Sequence, residues 1–437
     1  ADDNLIRNAG INNGGARNSW IAIIGEGNAI LDGNGSNQTT FDRKTDDVRL
    51  NLGVRLHRVD RCELGGFTVR ETNGGGVILE DTKHANVHNL EFLQTAGSPN
   101  RDGFDLVGPA RNVNIHDIYG RTNDDIVAIG PDDPDNFQQG SGGNVEEVNV
   151  DTISGEITRK GWVVRVSAGT EDTGKRVDDI NINNVVGYDG GGLLGGITLG
   201  SSGSGSTFSR FRGVNISNVT VTNAQNMALQ VFQDMNNLQV SNIQAYKTPT
   251  VVEVESQISS ATFTQLTGSD VTNIFRSNGT INDCLVTNIV AKSGPDGVID
   301  NVFNLGGNSV NFRVSDVVVD MDDGGGPYGT VFKGRNSPNV TLNIEGLAIR
   351  KADTVFDLGG DVSGTFSDFT TGNVNTIYAS FGDLVPVGNI RESTDVRQFS
   401  NVKFGQAYHD GAGGNTNGPA FNNGSEWISL VDGSTIS

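Results

Sequence analysis

Two short stretches concentrate acidic side chains in a way that suits proton transfer. Asn100-Arg101-Asp102-Gly103-Phe104-Asp105 is followed by Thr122-Asn123-Asp124-Asp125-Ile126-Val127-Ala128-Ile129, in a region that otherwise alternates Val, Ile and Asn. Like charges held close raise the pKa of one carboxyl, so one stays protonated while its neighbour is ionised. Such a pair can protonate a leaving oxygen and activate water, the basic chemistry of glycosidic-bond cleavage. The plainer role for Asp124 and Asp125 is to satisfy turn amides in a Gly/Asn-rich loop. Chemistry requires that both stretches lie on stacked turns of one wall.

An internal repeat supplies that stacking. A unit with apolar residues at positions 1, 3 and 6 starts at Cys62, Ala85, Val113, Val148, Ile180, Val214, Leu238, Ala261, Cys284, Phe312, Leu342 and Gly364. Positions 1 and 3 point inward by strand alternation, and the step to position 6 implies a bend, where Asn tolerates left-handed backbone. The shortest units leave no room for a crossover helix. The expectation is an all-β, right-handed single-stranded parallel β-helix of about a dozen coils, each burying its neighbour's inner face. The longest spacings, 35, 32 and 34 residues, fall between Val113 and Val214, and extra loop length there is expected to wall a groove. The stretch from Ile21 to Gly35 reads as the first coil. Residues 1–370 are read as the β-helix and 371–437 as a coil end, cap or interaction tail.

Composition limits the partners. A net charge of -21 repels nucleic acid. The 38 Asp against 14 Glu, with only 9 Lys, suit a protein kept soluble in high salt. No run of 18 apolar residues is present, so no membrane-inserting helix is expected. Cys62 and Cys284 fall at inward positions of distant repeats and read as small core residues, not as a disulfide. The five His show no zinc-ligand spacing. No cofactor is required by any motif, although the acidic loop Asp132, Asp133, Asp135 has the ligands for Ca2+. The chain begins Ala1-Asp2-Asp3, so a signal peptide is either removed or unused, and an extracellular or virion-surface location is inferred.

Asn100–Asp105 resembles the Asn-Thr-Asp-Gly-x-Asp motif of polygalacturonase-like right-handed β-helix glycosidases, and Asn123–Ile129 resembles their Asp-Asp-x-x-Ala-Ile motif. The offset of 22 from Asp102 to Asp124 matches adjacent coils. The resemblance covers roughly Ile21 to Gly200. It is closer still to a group of β-helix proteins from bacteria and tailed viruses that share Asp-Gly-x-x-Leu, Asn-Asp-Asp-x-Val-Ala and Trp-x-x-x-Arg motifs. It implies an inverting glycosidase, with Asp124 as general acid and Asp102 and Asp125 as water-activating groups. Arg165 in Trp162-Val163-Val164-Arg165-Val166 resembles the family's Arg-Ile-Lys substrate clamp, which would hold a uronate carboxylate. Val166 stands where the clamp has Ile and Ser167 where it has Lys, which leaves Lys160 as a substitute cation. Trp162 is either a sugar-stacking platform or core. Asp105, Tyr188 and Asp189 are further groove candidates. The family's Gly-His-Gly motif is missing, and Gly190–Gly200 echoes its glycines without the His.

The expectation is therefore a secreted or virion-borne protein that binds and hydrolyses a surface or acidic polysaccharide. The alternatives are a non-catalytic adhesin or viral tailspike reading cell-surface glycans, a homotrimer in the tailspike case, and a polysaccharide lyase.

Overall fold

The computed structural model describes residues 5–8, 16–34, 52–94, 101–132, 142–167, 174–200, 210–293, 299–321, 329–334, 339–358 and 362–380, then short strands between 383 and 436. Two compact units divide the chain, Ala1–Gln239 and Val240–Ser437. In both, strands pair in parallel with the strand one coil later, giving the expected right-handed parallel β-helix. No described helix is long and apolar enough to cross a membrane.

In the first unit, Ile21–Asp32 pairs with Val54–Arg70, which pairs with Val77–Leu93 and then Phe104–Thr122. Beyond that point each coil divides into a short and a long strand. The short strands Val127–Gly130, Gly161–Val166, Leu193–Leu199 and Met227–Val231 stack in register, as do the long strands Val145–Ile157, Arg176–Asp189 and Arg210–Thr222. The second unit repeats the scheme with short strands Thr250–Val254, Asn273–Ser277, Asn301–Leu305 and Thr330–Gly334. Its last described strands, Gln406–His409, Gly418–Asn422, Trp427–Ser429 and Thr435–Ile436, are antiparallel.

The bend before position 6 is a left-handed residue in every repeat. In the first unit these are Gly66, Asn89, Asp117, Thr152, Asn184 and Asn218, with φ from 49 to 75°. In the second they are Asn242, Gln265, Asn288, Asp316, Gly346 and Asp368, with φ from 50 to 68°. Gly, Asn and Asp reach this region cheaply, whereas Thr152 and Gln265 are forced into it by the burial on either side. Val148, Val150 and Ile153 around Thr152 are all buried, and each contributes roughly 1.5–3 kcal/mol by leaving water. Cys62 and Cys284 occupy position 1 as buried, free thiols. Burial, with the Glu63 charge, pushes the Cys62 thiol up to about 12, and burial pushes Cys284 up as well.

Candidate active site

The acid-bearing turn lies just before the short strands of the first unit, and backbone bonding fixes its register. The Gly53 amide donates to the Gly75 carbonyl, Gly76 to Asp102, Gly103 to Asp125 and Ile126 to Trp162. Gly75, Asp102, Asp125 and Trp162 therefore form one column across successive coils. The coil mate of Asp102 is Asp125, one residue later than the offset of 22 suggests. Arg101 steadies the turn from behind. Its amide donates to Asn123 Oδ1 at 3.0 Å, and its buried guanidinium reaches Glu71 Oε2 and Asn73 Oδ1, each at 3.3 Å. Burial lowers the Arg101 pKa against the pull of Glu71.

The two column carboxylates perform the same local task. Asp102 Oδ1 accepts the Asp125 amide at 2.9 Å, and Asp125 Oδ1 accepts the Trp162 amide at 2.7 Å. Each thus caps the turn of the next coil, so the plainer role expected for Asp125 is present. It does not exhaust the cluster. One oxygen from each of Asp102, Asp124 and Asp125 lies within 4.8 Å of the others. Asp102 and Asp125 are buried, while Asp124 is half-buried and so the most open of the three. Burial raises the Asp125 pKa, opposed by the Arg165 charge and the Trp162 amide.

Arg165 is turned toward the acids. Its Nε lies 2.6 Å from Asp125 Oδ2, with Asp125 1% and Arg165 39% exposed. The Asp125 charge raises the Arg165 pKa against burial, and Asp102, Asp124 and Asp105 add to it. Asp105 joins them on the outward face of the short strands, where Asp105, Ala128, Arg165, Thr198 and Gln230 align in register.

The other candidates scatter. Trp162 is buried with its ring against Gly195, and its amide serves Asp125. Lys160 is exposed on the turn, and its amide donates to the Asn123 carbonyl. Tyr188 is exposed on a neighbouring column with Glu156 and Thr222. Asp189 Oδ1 accepts the Gly191 amide at 2.7 Å, a turn bond. Asp132 pairs with Lys175 Nζ at 2.7 Å, whereas Asn100, Asp133 and Asp135 lie outside the described residues.

Two glycines escaped notice in the sequence. A Cβ on Gly161 would lie 2.7 Å from the Asp124 carbonyl oxygen and 2.8 Å from the Asp125 nitrogen, and one on Gly75 would lie 3.1 Å from Asp105 Oδ2. Among 60 glycines nothing in the sequence marks them; their signal is position, Gly75 in the column of Asp102 and Asp125 and Gly161 one residue before it.

The first unit is thus a parallel β-helix that carries three clustered carboxylates on one turn. More narrowly, residues 4–184 match the family model described as Glycosyl hydrolases family 28. That span contains all three cluster acids, Asp105 and Arg165, and bears out the resemblance read from the motifs. No curated protein and no solved structure matches the chain.

Proposed function

We propose that the chain hydrolyses a polysaccharide, with Asp124 as general acid and Asp102 as the main water-activating group. The observation that carries this reading is the approach of Asp102, Asp124 and Asp125 to within 4.8 Å, inside the span similar to a glycosidase family. Asp124, the most open of the three, is suited to reach a glycosidic oxygen. Asp125 has one oxygen on the Trp162 amide and the other beside Arg165, so it orients and charges the site more than it activates water. The nearest-oxygen spacing is shorter than the roughly 6.5–9.5 Å between carboxyl groups usual for inversion. Inversion is therefore the finer claim, and the anomer formed first, followed by NMR, decides it.

A polymer substrate favours action outside the cell or on a virion surface, as does the acidic composition if the medium is salty. The test is to incubate wild type, Asp124→Asn and Asp102→Asn with a polysaccharide panel. New reducing ends without unsaturated-bond absorbance, lost in both variants, are expected. Full activity in both variants would sink the assignment, and unsaturated products would replace hydrolysis by a lyase reaction. The capping bonds of Asp102 and Asp125 favour one rival, in which the acids are retained as scaffold in a glycan-binding adhesin or tailspike. That rival expects binding of a panel glycan with cleavage of none.

A further inference from the structure

We propose that the first unit carries a second carbohydrate site, away from the acid turn, whose pocket seats one neutral sugar unit of the polymer. Calling that ligand part of the substrate polymer rests on the glycosidase reading; the pocket itself does not. It opens where two strands fall out of step. Val77–Leu93 and Phe104–Thr122 pair Glu80 with Val107 and then Thr82 with Ala110, so Gly108 and Pro109 face Asp81 alone. An extra residue of this kind bends its strand and parts the ladder, and such bulges favour functional sites. The resulting pocket holds about 360 Å³ and is lined by Thr82, Pro109 and Ala110 between charged side chains. That volume lies within the range usual for small-molecule sites. Pro109 is four residues beyond Asp105 on one strand, roughly 13 Å at 3.3 Å per residue. A polymer reaches both places, and a single sugar does not.

The ionised groups of the lining already have opposite charges beside them. Arg17 pairs with Asp60 and Asp81, and Lys83 Nζ lies 3.2 Å from Asp60. Arg111 Nη2 lies 2.6 Å from Glu147, and Glu146 lies 2.9 Å from Arg176. An ionic ligand must compete with one of these partners, whereas a neutral one need not. What the pairs leave over suits hydroxyls. Arg111 bonds Glu147 through Nε and Nη2, which leaves Nη1. Lys83 has three donors and one carboxylate partner. Asn144 and Arg176 both donate to Oε1 of Glu146, which leaves Oε2 as an acceptor. Cationic donors and a carboxylate oxygen around one pocket match the hydroxyls of a sugar, each of which donates and accepts. The exposed Pro109 adds an apolar surface for the C–H face of the ring.

A second attachment point raises the effective concentration of a long chain at the acids. Lys83→Met combined with Arg111→Met removes both cationic donors; the two side chains are 60% and 58% exposed, and surface pairs of this kind add little to stability. The double variant is expected to raise KM for a cleaved polymer about tenfold at unchanged kcat, while the kinetics of the shortest cleaved oligomer stay as in wild type. An unchanged polymer KM overturns the proposal. A second arm needs no turnover: full-length Asp124→Asn protein, with and without the double change, is titrated by calorimetry with xylohexaose, cellohexaose, mannohexaose and hexagalacturonate. At least one neutral hexamer is expected to bind, and the double change is expected to remove one site for it. Identical titrations with and without the change overturn the proposal, as does a site filled by hexagalacturonate alone. A neutral hexamer held at the pocket, with no polymer cleaved by wild type, keeps the pocket and sinks the glycosidase reading. Polymer cleavage with identical titrations does the reverse.

Discussion

The outward faces of the short strands differ between the two units, although the strands themselves follow one plan. In the first unit Arg165 leaves its column to reach Asp125 on the preceding turn. In the second, Arg276 stays on its column, with Nη1 3.1 Å from Glu253, its in-register neighbour. The turns explain the difference. The turn column of the first unit reads Gly75, Asp102, Asp125, Trp162, and its counterpart in the second, two residues before the inward Val252, Phe275 and Phe303, reads Thr250, Asn273, Asn301. Among the described residues only the first turn gathers three acids. The inner faces differ as well. Phe275, Phe303, Phe332 and Phe356 fill the second unit where Val127, Val164, Ile197 and Leu229 fill the first. Strands thus supply a common frame, and the acids are gathered in a turn.

The sharpest way to break this division is to strike each unit at its distinctive feature. Asp124→Asn should cut cleavage by about 10²–10⁴-fold, the usual weight of a positioned proton donor, with the melting temperature unchanged. Phe332→Ala should do the reverse. Its ring stacks on Phe303 at 4.7 Å between centroids and 3° between planes, and its loss should cost about 3–5 kcal/mol by denaturant unfolding while leaving kcat alone. If Asp124→Asn unfolds the protein, or Phe332→Ala abolishes turnover in protein that remains folded, turn and frame are not separable.

Gly161→Ala tests the turn without touching an acid. The added methyl would press on the backbone of Asp124 and Asp125, and a displacement near 1 Å can cost about 10²-fold in rate. A fall in kcat with little change in KM or melting temperature is expected. Unchanged kcat would mean that the acid pair tolerates movement.

Arg165→Gln probes the electrostatics of the same turn. Burial raises the Asp125 carboxyl and Arg165 opposes that rise, so removing the cation lifts it further. A carboxyl with a raised folded-state pKa favours the fold at low pH and loses that contribution as pH rises through the folded value. Near pH 4 the variant should therefore match wild type, and it should fall behind toward pH 7. Breaking a buried pair costs about 3–5 kcal/mol, but the exposure of Arg165 reduces this to roughly 1–3 kcal/mol. A deficit that is equal at both pH values would show that Arg165 acts through packing alone.

Much of this was legible in the sequence, for reasons that differ by level. The frame was plain because positions 1, 3 and 6 recur from Cys62 to Gly364, and inward burial leaves polar residues little freedom to occupy them. The acids stood out because paired Asp interrupts that pattern at Asp124 and Asp125. The pairing of Asp102 with Asp125 was not legible, since coil register depends on turn hydrogen bonds and not on residue spacing. Nor was the orientation of Arg165: a guanidinium on an outward column serves substrate or protein according to a neighbour 40 positions away in sequence, Asp125.

Thr152 gives the finest test, because there the frame overrides local preference. A β-branched residue at φ 56° is strained where most repeats place Asn, Asp or Gly. Its side chain is exposed, and Val150 and Ile153 on either side are buried. The bend is thus imposed by inward packing and contributes nothing to the acid turn. Thr152→Asn should relieve the strain and stabilise the protein by about 0.5–1 kcal/mol, seen as a small rise in denaturant midpoint with unchanged slope. Asn184 already holds the favoured residue at φ 54°, and Asn184→Thr should lose at least as much, since it also removes the bond from Asn184 Nδ2 to Asp151 Oδ1. If Thr152→Asn is neutral while Asn184→Thr is costly, the left-handed bend is not what limits that coil, and a contact made by the Thr152 side chain must offset its strain.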